Sequence, residues 1–130
     1  VDDSVLSKKP TPEEWSVKEI AAHMITTEAM FAAMIRRLLE TDGWADLNTE
    51  GLPWKLHEGL GYEAISAAEL VGHFRSNRAE LLELLTGLSP DLWSRRGFRI
   101  GHGLNLLDVG CYVANHDLGH LAQIRHICHE

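Results

Sequence analysis

A chain of 130 residues with 45% hydrophobic side chains is the size of one ordinary domain and carries enough apolar material for a single core, so one domain over residues 1–130 is expected. Its formal net charge of -7 argues against broad contact with nucleic acid, whose affinity comes largely from Lys and Arg neutralising phosphates. No apolar run approaches the roughly 18 residues of a membrane span, and the opening stretch VDDSVLSKKP lacks the apolar block of a signal peptide, so the expectation is a soluble cytoplasmic protein with no membrane partner.

Residues 1–14 are polar, hold Pro10 and Pro12, and read as an irregular lead-in. Ser16 and Glu19 then stand at capping-box spacing, in which hydroxyl and carboxylate satisfy the free backbone N–H groups of a helix start. A helix is therefore predicted from about Val17. Ile20, His23, Thr27, Met30, Phe31, Met34 and Leu38 recur at helical spacing along it, and it ends before Asp42-Gly43. Residues 42–65 contain four glycines, Pro53, Trp44 and Trp54 without a sustained period, a long connection of the kind that crosses a bundle or shapes a site.

Ser66 and Glu69 repeat the capping-box spacing, and Leu70, Phe74, Leu81, Leu85 and Leu88 trace the buried face of a second helix that stops around Gly87. Ser89-Pro90-Asp91 opens a short helical turn to about Ser94. Residues 95–104 form a basic, glycine-rich loop, and Asn105 caps a last helix running to about Cys128. No segment alternates apolar and polar residues beside hairpin turn chemistry, so the class is all-α. Cys111 and Cys128 lie about 17 positions apart on one helix, too far along its axis to bridge, which fits a reducing compartment.

Eight histidines are the compositional oddity. His116 and His120 are four apart, so they project from one helix face about a turn apart and can chelate one ion. Val109, Tyr112, Val113, Gln123 and Ile127 share that face, which predicts inward-pointing imidazoles. His23 lies in the core stripe of another helix. Two readings follow from the residues alone: hydrogen-bonded core histidines, or ligands of a divalent metal. His73 sits at the edge of its helix's apolar face, His57 and His102 fall in loops, and His126 and His129 leave the His116 face, so none of these five is expected as a ligand.

The segment Trp15-Ser16-Val17-Lys18-Glu19-Ile20-Ala21-Ala22-His23, followed about 90 residues later by His116-Asp117-Leu118-Gly119-His120-Leu121-Ala122-Gln123-Ile124, resembles the DinB-like superfamily over roughly residues 5–128. That superfamily includes bacterial thiol-dependent transferases and the mycothiol-dependent maleylpyruvate isomerase group. The resemblance implies a four-helix bundle with a long crossover and a divalent metal held by His23, His116 and His120. The family's bundle usually begins with a helix before the Trp-Ser segment, for which this chain has no room after Val1, so a missing first helix or a covering partner chain is expected.

A structural zinc site is usually closed by four protein ligands, whereas three leave positions for water or substrate. The implied site is thus open, and its ion would lower the pKa of a bound water or thiol and polarise a substrate oxygen. The expected function is a metal-dependent transferase or hydrolase that acts with a low-molecular-weight thiol or on a small electrophile. The alternative is a non-enzymatic bundle stabilised by its metal within a homodimer. Imidazole suits zinc or nickel first, and also iron or copper. Glu19 and Gln123 are candidates to orient the ligating rings, with a capping role as the competing reading for Glu19. Trp44, Trp54, Tyr62 and the Arg95-Arg96 pair are candidates to wall a pocket, against ordinary packing and solvated charge.

Overall fold

Each long helix begins where a side chain takes over the backbone N–H groups that the first turn leaves free. Ser16 Oγ accepts from Glu19 N at 3.1 Å while Glu19 Oε2 accepts from Ser16 N at 2.7 Å, and α2 (Val17–Glu40) starts at the next residue. Ser66 and Glu69 make the same reciprocal pair ahead of α3 (Ala67–Thr86). Asn105 and Asp108 repeat it ahead of α5 (Leu106–His129), with Asp108 N donating to Asn105 Oδ1 at 2.8 Å.

The computed structural model describes residues 2–40, 44–46, 61–95, 97–99 and 104–129. The remaining elements are the one-turn helices α1 (Asp3–Leu6) and α4 (Leu92–Arg95), a 3-10 turn at Tyr62–Ala64, and strands β1 (Trp44–Asp46), β2 (Gly97–Arg99) and β3 (Leu104–Asn105). The protein is an all-α bundle in which α2 is the central element, with α3 packed along it and α5 on another side.

Two local features depart from the sequence expectations. The lead-in forms α1, capped by Asp2, and Asp3 accepts a hydrogen bond from Ala67 N at 3.1 Å, so the opening residues are tied to the start of α3. Among the described residues, the helix preceding α2 is this four-residue turn. The two connections, expected to be irregular, contribute a small sheet in the order β1-β2-β3, parallel between β1 and β2 with Trp44 opposite Gly97, and antiparallel between β2 and β3 with Phe98 opposite Leu104. Strands of two or three residues are too short to show a period of two.

The core joins Phe31, Ala32 and Ile35 of α2 to Leu81 of α3 and to Leu106, Val109 and Val113 of α5. The buried face of α2 is wider than the expected stripe: Ile20, His23, Thr27 and Phe31 are buried as expected, Met24, Ile25 and Glu28 are buried beside them, and Met30 and Met34 are only partly so. Tyr112 is likewise not inward-facing but 58% exposed, and Leu107, Leu118 and Leu121 are exposed on the same helix. No described helix is long and apolar enough to cross a membrane.

Candidate metal centre

His23 lies on the second turn of α2, whose start is set by the Ser16–Glu19 cap, and its ring is buried. His116 and His120 stand one turn apart near the middle of α5, each half-buried. Packing of α5 on α2 brings the three rings together. His116 Nε2 is 3.1 Å from His23 Nε2 and 3.1 Å from His120 Nε2, and one ligand nitrogen from each residue lies within 4.8 Å of the others.

Hydrogen bonding alone does not account for this arrangement. Gln123 Oε1 lies 3.1 Å from His120 Nδ1, and an amide oxygen only accepts, so the proton of a neutral His120 is on Nδ1 and its Nε2 offers a lone pair. His116 Nε2, neutral, either donates or accepts. If it donates to His120 it cannot accept from His23, and if it accepts from His23 it faces a second lone pair on His120. One of the two short contacts is always left without a proper hydrogen bond. A cation that takes all three lone pairs removes the conflict. Metal–nitrogen bonds of about 2.0–2.1 Å at tetrahedral angles separate two ligating nitrogens by about 3.3 Å, close to the spacing found here. The three histidines could therefore hold a divalent ion.

The surroundings of His116 favour its neutral form. Burial, and next the neighbouring His120, lower the His116 pKa below its ordinary value, against the opposing pull of Asp117. Aromatic rings wall the group. Trp15 lies 4.9 Å from the His23 ring and stacks at 6.5 Å on His120, Phe31 meets the edge of His116 at 6.4 Å, and the exposed ring of Tyr112 stacks on His116 at 6.0 Å. On the α2 side His23 and Phe31 are buried, whereas on α5 His116 and His120 are half-buried and Tyr112 is exposed.

The expected ligands are thus brought together, and the expected outsiders stay outside: His73, His126 and His129 are exposed. His57, His102, Trp54 and Arg96 lie outside the described residues, as do the side chains of Trp44 and Arg95. Tyr62 sits in the 3-10 turn against α2, where burial raises its pKa, and it makes none of the described ring contacts with the histidines. Of the two orienting candidates, Gln123 contacts His120, whereas Glu19 is engaged by its cap and by Lys9 at 3.1 Å.

Sequence reasoning missed the polar cluster beside the site. Glu28 of α2 is 1% exposed, and Arg78 of α3 donates to both its carboxylate oxygens and also to Asp117, the residue after His116. The hydrogen bonds that Arg78 donates to Glu28 raise its pKa further above the ordinary value, so the guanidinium is permanently charged. A glutamate at position 28, one turn after Met24 and before Phe31, was the available signal, since a carboxylate inside an apolar stripe requires a cationic partner.

No curated protein matches the chain. The family model of the DinB superfamily matches residues 1–124, a span that includes the capped start of α2, all three converging histidines and Gln123. The chain belongs to the DinB superfamily.

Proposed function

We propose that this protein is a metal-dependent enzyme in which His23, His116 and His120 bind one divalent ion, zinc or nickel in the first instance. On this reading it transfers a low-molecular-weight thiol to a small electrophile or hydrolyses such a compound. The observation that carries it is the convergence of three Nε2 atoms from two helices in a group of one buried and two half-buried histidines. Such an ion supplies Lewis acidity and lowers the pKa of a thiol or water bound to it. The chain's own residues do the rest. Gln123 fixes the His120 tautomer, buried His23 closes the inner side to solvent, and Trp15 and Tyr112 offer ring faces to an apolar or planar substrate group.

Elemental analysis of tag-free protein should give about one metal per chain, reduced to near zero in His120→Ala. A screen of thiols against small electrophiles should give turnover that disappears in His116→Ala. Activity that persists in metal-free His116→Ala sinks the enzyme reading.

A second reading has its own support. Leu107, Leu118 and Leu121 are exposed on α5, which suits a helical partner, and a homodimer with a stabilising ion would cover them. It requires a concentration-dependent dimer in sedimentation and a sharp loss of thermal stability on chelation, with no turnover in the same screen.

A further inference from the structure

We propose that Arg78 is a positioning residue, which sets the rotation of α5 against α2 and thereby aims His116 at His23. The inference rests on the metal-site reading above and extends it to residues outside the three histidines. Helices α3 and α5 scarcely meet, and an apolar groove of about 180 Å³ runs between them over Ile35, lined by Leu81, Leu82, Val109 and Val113. Arg78 spans this gap. Its guanidinium grips buried Glu28 of α2 with two nitrogens, one at 3.0 Å, and reaches Asp117 of α5 with a nitrogen that Glu28 also uses. Phe74 backs it from the same helix, its ring centre 5.0 Å from the guanidinium carbon.

Geometry makes the clamp consequential for the site. Asp117 follows His116 by one residue, about 100° around the helix and 1.5 Å along it, so holding the Asp117 carboxylate fixes the direction that His116 takes. An imidazole nitrogen stands about 6 Å from the helix axis, and a rotation of about 20° carries it through about 2 Å, as long as a metal–nitrogen bond. The apolar cluster that Leu81 shares with Val109 and Val113 is non-directional and by itself defines that rotation loosely. The guanidinium, oriented by its two-nitrogen grip on Glu28, presents one nitrogen to Asp117 and so adds a directional tie to α5. Glu28 in turn anchors Arg78 to α2, the helix that carries His23.

Two variants test this. Arg78→Lys keeps the charge and loses the fork, while Asp117→Asn keeps the Glu28–Arg78 pair and removes the α5 carboxylate. Both are expected to melt cooperatively, to bind zinc about 10–100-fold more weakly in a competition titration, and to give a shifted visible spectrum with cobalt in place of zinc. A purely structural cross-tie would lower the melting temperature but leave affinity and spectrum unchanged, and that result in both variants overturns the proposal. Should Arg78→Lys not fold, Asp117→Asn decides. A wild-type protein that binds no metal refutes the reading in the preceding subsection, and ring-to-ring nuclear Overhauser contacts between His23 and His116 in metal-free protein then settle the positioning role. Contacts present in wild type and lost in the variants support it, and contacts retained in the variants overturn it.

Discussion

Gln123 shows how a single side chain can decide what an imidazole offers. By accepting from His120 Nδ1 at 3.1 Å it leaves the Nε2 lone pair facing the other two rings. Gln123→Ala is expected to let His120 adopt either tautomer and to weaken zinc binding by about 10–100-fold in a chelator competition, whereas Gln123→Glu keeps an acceptor and should restore most of the affinity. Equal affinities for wild type and Gln123→Ala would remove Gln123 from the site. The histidines themselves were legible because i, i+4 spacing on a helix is a local property, and the resemblance added the third partner from a distant helix. Glu28 and Arg78 were not legible. Whether a charged residue is buried depends on a partner 50 positions away in sequence, and no spacing rule joins them.

At the scale of the element, the starts of α2, α3 and α5 could be read in advance because a cap is encoded within four consecutive residues: Ser16 to Glu19, Ser66 to Glu69, Asn105 to Asp108. The sheet could not, since β1 pairs with β2 across more than fifty residues of chain and neither strand exceeds three residues. The extra width of the α2 buried face escaped for a related reason: the helix meets both α3 and α5, so residues beside the expected stripe are covered as well. The α2 cap carries a pH dependence. Burial pushes the Glu19 carboxyl up, but the Ser16 backbone N–H and Lys9 together outweigh it and hold the pKa below the usual glutamate value. A depressed folded-state pKa means that the stabilisation is fully present above the unfolded value of about 4.3 and is lost as pH falls through the folded one. Glu19→Gln keeps an acceptor and removes the charge, so denaturation midpoints should show it less stable by about 0.3–1 kcal/mol near neutral pH, with the gap closing in acid. In α3, Gly72 is exposed and a Cβ there meets nothing within 4 Å, so Gly72→Ala should stabilise the protein by about 0.5–1 kcal/mol, with the denaturant slope unchanged.

On the scale of the whole molecule, α2 serves two separate tasks along its length. Its first half presents His23 to α5, and its second half presents Phe31, Ala32 and Ile35 to a core shared with Leu81 and Val109. Ile35 is 1% exposed at the point where both neighbouring helices meet α2, and it lies about 18 Å along the axis from His23. Truncation to alanine leaves a cavity between rigid helices, for which a cost of about 2–5 kcal/mol is expected. Two sites that far apart without shared partners should act additively. Ile35→Ala should therefore lower the melting temperature of metal-free and zinc-saturated protein by the same amount, leaving the increment due to zinc intact. His23→Ala should do the reverse, removing the increment while costing the metal-free protein far less. The double variant should equal the sum. A zinc increment that shrinks in Ile35→Ala would mean that the core and the histidine cluster form one cooperative unit, with the ion acting through the packing of the bundle and not only through its three ligands.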